Sequence, residues 1–410
     1  MKKVKLSELG EIVGGSTPAI KDIENYDGNI SWITPKDLAN YNKIFIESGE
    51  RSITEKGLKS SSTKMLPKNS VLFTSRAPIG YIAIAEKELC TNQGFKSIIP
   101  NNNVNYIFLY YLLKYNKEYI ASFGSGTTFK EVSGTVMKNI EVNIPDTIEE
   151  QKKIANILYS IDKKIELNNQ INNNLEELIK TIYQRWFIEF EFPNEEGKPY
   201  KSSGGKFVYN DELKQEIPEG WKVENIMNYI NWEGTSQPPK SEFVYEPKGG
   251  YIRFIQNRDY DDNSHITYVP KNKVIGICNK YDILMDKYGD AGRTRFGLDG
   301  AYNVALAKII IRNNLYREYI RSFLSSESVY NYLHNSSMAS TRASLNENNI
   351  SFINLTIPPK NLIEKYNKFA NNYIESNISL KEENDRLTEL KNFLLPLLMN
   401  GQINVDDIEI

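Results

Sequence analysis

The chain has 410 residues, 50 Lys+Arg against 52 Asp+Glu, 2 His and 2 Cys, and 40% of its residues are hydrophobic; it is too apolar for a disordered chain and long enough for two or three domains. Cys90 and Cys278 are too few and too far apart for a disulfide framework or a C-x-x-C metal site, and no run approaches the ~20 apolar residues of a membrane span. Met1-Lys2-Lys3 leads into Val4-Lys5-Leu6-Ser7 with no apolar run behind it, so a soluble, cytoplasmic protein is expected.

In chain order, residues 1–146 read as strand-rich, with short alternating runs such as Ser70 to Thr74 and Tyr81 to Ala85 between Gly, Pro and Asn turn signals. A helical insert, Val104 to Ser122, interrupts them. After Pro145, Asp146-x-x-Glu149 predicts a helix N-cap, and Ile154, Leu158, Ile161, Ile165, Ile171, Leu175, Leu178 and Ile182 follow at spacings of three, four or six. This predicts one long helix over 147–191. Residues 192–217, rich in Gly, Ser, Lys and Glu, read as a linker. A second strand-rich unit over 218–360 carries its own insert, Tyr316 to Asn335. Asn361-x-x-Glu364 then opens a second long helix over 361–401, with Tyr366, Ala370, Ile374, Ile378, Leu380, Leu387, Leu390 and Leu394 as its apolar positions, and a tail over 402–410.

The two halves are divergent copies of one unit. Ile30-Ser31-Trp32-Ile33…Lys36-Asp37 recurs as Ile252-Arg253-Phe254-Ile255…Arg258-Asp259. Val71-Leu72-Phe73…Gly80 recurs as Ile283-Leu284-Met285…Gly292, and Gly126-Thr127-Thr128…Ile144-Pro145 as Ala339-Ser340-Thr341…Ile357-Pro358. The fold class is therefore α+β, with two mixed, strand-rich domains separated by two long helices. At about 1.5 Å per residue, a helix of roughly 40 residues runs about 60 Å, the length of a coiled coil. Asn168 and Asn172 interrupt one apolar seam and Asn377 and Asn384 the other; buried Asn fixes register, so the helices are expected to pair with each other, antiparallel, with the two domains at opposite ends of a rod.

Net charge by segment is +3 over 1–146, −2 over 147–192, −1 over 193–217, +2 over 218–360 and −4 over 361–410. Both strand-rich units are mildly basic, which permits nucleic-acid contact without requiring it. Catalytic motifs fail on inspection. Pro145-Asp146 with Glu150-Gln151-Lys152 mimics a nuclease signature but falls on a helix start, and Phe123-Gly124-Ser125-Gly126 has no leading strand for a cofactor loop. His265 and His334 are isolated from any Cys and read as surface or turn residues, and Asp259, Asp261 and Asp262 as a solvated acidic turn. No catalytic site and no metal site is expected.

Five stretches together resemble the specificity (S) subunit of type I restriction-modification enzymes. Lys5-Leu6-Ser7-Glu8-Leu9-Gly10-Glu11-Ile12 with Gly15-Ser16-Thr17-Pro18 looks like the start of one target-recognition domain, and Ile217-Pro218-Glu219-Gly220-Trp221-Lys222 like the start of the second. Glu150-Gln151-Lys152-Lys153-Ile154-Ala155…Ile161-Asp162…Ile165 resembles the first central spacer helix, and Arg185-Trp186-Phe187…Phe190 its exit. Leu394-Leu395-Pro396-Leu397-Leu398-Met399-Asn400-Gly401 resembles the end of the distal helix, while Ile363-Glu364-Lys365-Tyr366 departs from the usual Gln-Lys-Ile-Ala at its start.

The resemblance implies a non-catalytic subunit in which each recognition domain reads half of a bipartite DNA target. The paired helices would fix the spacer between the halves and dock two methyltransferase subunits, with restriction/translocase subunits completing the assembly. S-adenosylmethionine, ATP and magnesium would bind in those partners and not here. Arg suits base edges because its fork bridges guanine O6 and N7. The expected DNA-binding residues are Lys36, Arg76, Thr127, Thr128, Lys130, Arg258, Arg293, Arg295, Ser340, Thr341 and Arg342. The expected helix-pair contacts are Ile154, Leu158, Ile161, Ile165, Leu175, Ile374, Ile378, Leu387 and Leu394. Trp32 and Phe254 read as core aromatics. The alternatives are a duplicated coiled-coil scaffold that bridges proteins without touching DNA, and an enzyme whose site forms only in three dimensions.

Overall fold

Alternation along one strand in each half sets up two cores. In a computed structural model, which describes residues 1–126, 130–261, 265–338, 344–403 and 405, strand Val71–Ser75 is buried on both faces. Val71 and Phe73 pack with the helices, whereas Leu72 points the other way onto Ile33, Ile46 and Phe95. In the second half Ile283 and Met285 join the helix-side core while Leu284 packs with Ile255, Cys278 and Tyr302. Successive strand residues face opposite sides of a sheet, and each such side chain buried is worth about 1.5–3 kcal/mol.

Proximity of Cα atoms divides the chain into two compact units, Met1–Asn168 with Glu383–Ile410, and Asn169–Glu382. Both long helices, Ile148–Tyr183 and Lys360–Met399, are cut by this division, so each unit contains a part of both.

Among the described residues the first unit is built on a five-stranded sheet, in the order Gly10–Gly14, Lys96–Pro100, Val71–Ser75, Ile79–Ala85, Phe45–Ile46. The second unit repeats that order in four strands: Ile230–Glu233, Leu306–Ile311, Ile283–Asp286, Thr294–Arg295. The repeat extends to register. Trp32 and Ile33 pair in parallel with Cys90 and Thr91, as Phe254 and Ile255 pair with Ala301 and Tyr302. Strand Lys2–Lys5 pairs with Glu141–Ile144, as Lys222–Asn225 pairs with Asn354–Ile357. Gly80 and Gly292 share φ +94°, a left-handed conformation that disfavours side chains. An added Cβ would lie 2.4 Å from Lys117 Cγ in one case and 2.9 Å from Leu333 Cβ in the other, so both glycines let an insert helix approach the neighbouring strands. Trp32 and Phe254 are buried, as expected.

The helix starts differ from expectation. Thr147 caps the first helix, its Oγ1 accepting from the Glu150 amide, while Asp146 accepts from the Met1 ammonium at 3.0 Å. The second helix begins at Lys360, one residue before Asn361. The segment read as a linker contains a hairpin, Phe207–Asn210 paired with Gln215–Pro218, and Phe192, Tyr200 and Phe207 pack beside Trp221.

Both helices pair antiparallel within each unit. In the first, Asn168 Nδ2 donates to Glu383 Oε2 and Asn384 Oδ1 at 2.8 and 2.9 Å, and Lys391 Nζ donates to Asp162 Oδ1 at 2.5 Å. In the second, Tyr183 and Trp186 contact Tyr366, and Trp186 contacts Phe369. Of the expected contacts, Ile154, Leu158, Ile161, Ile374, Ile378 and Leu394 are buried, and Ile165, Leu175 and Leu387 are half-buried. Ile171, Leu178 and Leu390 are exposed and do not belong to the seam. The seam instead runs Ile161, Ile165, Asn168, Asn172, Leu175, Ile179, in steps of four and three, with Asn at two central positions. On the second helix Asn377, Asn384 and Lys391 recur every seventh residue. Asn168, Asn172 and Asn377 are buried in the seam where the sequence places them, whereas Ile171 and Leu178, each one residue off a seam position, turn outward.

Candidate nucleic-acid interface

In the first unit four loop segments are fastened together. Thr34 and Asp37 form a capping box at the short helix Pro35–Leu38, in which Asp37 Oδ2 accepts from the Thr34 amide at 2.7 Å. Asp37 Oδ1 also accepts from the Glu50 amide at 2.7 Å. That box holds Lys36 outward, where its ammonium meets Glu50 at 2.6 Å. Gly94 accepts from the Ser75 amide at 2.7 Å, and a Cβ on it would meet Pro35 at 2.8 Å. Arg76, in the turn after strand Val71–Ser75, pairs with Glu131 at 3.3 Å, and Lys96 reaches the other oxygen of Glu131 at 3.4 Å. Ser125 and Glu131 exchange backbone hydrogen bonds at 3.1 and 2.9 Å, closing the loop between them. Lys130 is exposed beside Glu131. Thr127 and Thr128 lie outside the described residues.

The second unit repeats the construction with other residues. Gln256 and Asp259 form the capping box, Asp259 Oδ2 accepting from the Gln256 amide at 2.9 Å, and Arg258 is held outward where Lys36 stands in the first unit. Asp259 is buried, so its reading as a solvated acid is corrected: its carboxylate is spent on the turn backbone, and burial pushes its pKa up. The turn between Ile283–Asp286 and Thr294–Arg295 touches its neighbours through Asn257 Nδ2 on the Tyr288 carbonyl at 3.4 Å and the Leu345 amide on the Lys287 carbonyl at 2.9 Å. Arg293, 56% exposed, pairs with Asp290 at 2.9 Å, and the Tyr330 hydroxyl donates to the same carboxylate. Ser340, Thr341 and Arg342, and the acidic residue Asp262, lie outside the described residues.

Arg295 departs from the expectation. Its side chain is 9% exposed, with Nε and Nη2 on Asp286 Oδ2 at 3.3 and 3.1 Å and Nη1 near Asp261 at 3.3 Å. Its guanidinium also stands over the Tyr260 ring at 5.4 Å. Burial pushes the Asp286 carboxyl up to about 6, against the opposing pull of Arg295. A guanidinium committed beneath the turn fastens the hairpin and is not free to meet a base edge. Such a pair is invisible in sequence because the strand parity that turns Arg295 inward is set by its register with Leu284.

Sequence reasoning missed Glu131, Lys96 and Asp290. Asp290 stands three residues before Arg293 and was legible as a pair, but Glu131 and Arg76 are far apart in the chain and meet only through the fold. His265 is exposed as expected, whereas His334 is half-buried in helix Glu327–Met338, its ring 5.5 Å from that of Tyr330 and its Nδ1 3.3 Å from the Ala291 carbonyl. No group of His, Cys, Asp and Glu that could hold a metal ion is found among the described residues. Cys90 and Cys278 are buried thiols whose pKa burial pushes up, to about 11 and about 12, which suits packing rather than nucleophilic chemistry. Among the described residues no helix is long and apolar enough to cross a membrane.

Comparison with known proteins agrees with this architecture. The family model described as the type I restriction modification DNA specificity domain matches residues 1–177. The type I restriction enzyme MjaIX specificity subunit of Methanocaldococcus jannaschii is 34% identical, over 98% of this chain and 94% of its own length. The HindI specificity subunit of Haemophilus influenzae is 25% identical, over 92% of this chain and 94% of its own. The crystal structure of the type I restriction-modification S subunit from M. genitalium covers 97% of this chain and 95% of its own with a TM-score of 0.63 at 17% identity, which shows a shared fold. A duplicated α+β chain with paired long helices, related to such subunits over nearly its whole length, belongs to the family of type I restriction enzyme specificity subunits.

Proposed function

We propose that the chain is the DNA-reading subunit of a type I restriction-modification assembly. Each unit's loop cluster reads one half of a bipartite target, and the paired helices fix the spacer and dock two methyltransferase subunits. The chain performs no reaction of its own in this reading; S-adenosylmethionine, ATP and magnesium belong to the methyltransferase and restriction/translocase partners. The observation that carries the proposal is the repeated presentation of a cation on a capping box, Lys36 on Thr34 and Asp37, Arg258 on Gln256 and Asp259. Two copies of one device, each beside a turn bearing a further arginine, are what a split target requires, because half-site spacing follows from the distance between rigidly held readers.

Arg76 and Arg293 are the proposed base readers, with Lys36, Lys130 and Arg258 on phosphate or base edges. Thr127, Thr128, Ser340, Thr341 and Arg342 remain proposed contacts from the segments that follow the insert helices in the sequence. The test is a gel-shift titration of the complex with its methyltransferase subunits at several salt concentrations. A falling log–log slope is expected, because each phosphate neutralised releases counterions. Arg76→Ala and Arg293→Ala should each weaken target binding. A complex that forms normally but ignores DNA at every salt concentration would favour the scaffold reading.

A further inference from the structure

The two arginines proposed as readers are each held by a carboxylate, although the carboxylates come from different places in the chain. Glu131 follows the loop that it closes with Ser125, and its two oxygens divide between Arg76 and Lys96. Asp290 lies inside the turn that carries Arg293, and its oxygens divide between that guanidinium and the Tyr330 hydroxyl. Burial pushes Asp290 up, but the hydrogen bonds from Tyr330 and Arg293 outweigh it and hold the carboxyl below its usual range. Both pairs are partly exposed, where an ion pair contributes little to stability. An acid that does little for folding, and that reduces positive charge where a polyanion is to bind, calls for another explanation.

Given the DNA-reading function proposed above, on which this rests, we infer that Glu131 and Asp290 are specificity-determining positioning residues: each aims its arginine at a base edge and repels phosphate from it. A base edge is uncharged and can share the guanidinium with the carboxylate. A phosphate approaching the same guanidinium comes within a few ångströms of the acid, well inside the ~8 Å Debye length at physiological ionic strength. The carboxylate thus penalises sequence-independent docking more than it penalises readout. Positive design would add cations here; discrimination needs the opposite charge as well.

The experiment measures binding of the assembled complex to its target duplex, identified by methylation mapping, and to an unrelated duplex of equal length, over a salt series. Glu131→Gln and Asp290→Asn are each expected to strengthen binding to the unrelated duplex and to steepen its salt slope by about one. The ratio of target to unrelated affinity should fall about tenfold, at the order of one lost discriminating contact. Glu131→Asp, which keeps the charge, should keep the parental slope even if it folds less stably. Ratios and slopes of both neutral variants within twofold of the parent would overturn the inference while leaving the DNA-reading function intact. A parent complex without salt-dependent DNA binding would remove that function and this inference with it.

Discussion

In the first unit an ion pair joins the two long helices, and the insert helix Tyr106–Tyr115 meets it through one hydroxyl. Asp162 accepts from Lys391 at 2.5 Å and from the Tyr111 hydroxyl at 2.7 Å, and both charged side chains are 14% exposed. In the second unit the contacts between insert helix and long helices are made by rings, and an ion pair there, Arg321 with Glu318 at 2.7 Å, lies within the insert helix itself instead of joining the two long helices. Tyr319 of helix Arg317–Leu324 contacts Tyr183 and Phe187, Phe187 and Trp186 contact Tyr366, and Ser322 and Tyr366 share a hydrogen bond at 2.6 Å. The fold needs a filled joint at both places but does not dictate its chemistry. Rings bury a large area and favour edge-to-face contacts over a range of centroid distances, about 4.5–7 Å. A half-buried ion pair adds little net stability because both charges lose water, yet it penalises every register in which it is unmade. The ionic joint lies among the apolar residues Ile161, Ile165, Leu387 and Leu394, about two helical turns from the Asn168–Asn384 hydrogen bond.

The contrast predicts unequal responses. The largest is expected for Lys391→Met, which leaves Asp162 inside the joint with the Tyr111 hydroxyl and no cation. Loss of about 2 kcal/mol is expected from stranding a half-buried charge, below the cost for a fully buried one, read as a lowered melting transition of the complex. Adding Asp162→Asn to Lys391→Met should recover much of it, whereas an additive double variant would show that the pair is not coupled. Tyr366→Phe removes one hydrogen bond from the ring joint and keeps the ring; about 1 kcal/mol is expected. A loss as large as that of Lys391→Met would contradict the assignment of the second joint to ring packing.

The smallest effect concerns acid. Asp290 is held below its usual carboxylate range in the fold, so the unfolded chain binds more protons between the folded and unfolded pKa values. The stability it contributes is present above the unfolded value and is lost as pH falls through the folded one. Asp290→Asn should therefore lower stability slightly at neutral pH and converge with the parent well below about pH 4, so that the acid limb of a melting-versus-pH curve is flatter in the variant. An acid limb identical in parent and variant would argue against the Asp290 pairing.

Much of the architecture was legible from the chain. The repeat appears in the paired apolar triplets Val71-Leu72-Phe73 and Ile283-Leu284-Met285, because core positions constrain chemistry even where identity is lost. Lys36 and Arg258 were matched by sequence, and the structure presents both on the same capping turn. Asp259 was misread because a turn acid looks solvated until its backbone partner is known. Asn168 and Asn172 were placed in the seam by the sequence, but Ile171, Leu178 and Leu390 were misplaced because each stands one residue before a seam position, Asn172, Ile179 and Lys391, and an apolar count drifts onto it. Arg295 and Glu131 depended on strand register and on loops meeting across the fold, neither of which a local pattern contains.

The central claim, two linked readers of one split target, is tested most directly by mapping methylated bases in host DNA with and without this gene. The account predicts one motif of two specified parts separated by a fixed unspecified spacer, methylated in the parent and unmethylated without the gene, with Arg76→Ala degrading one part and Arg293→Ala the other. Methylation unchanged by loss of the gene, or a motif in one continuous block, would contradict it.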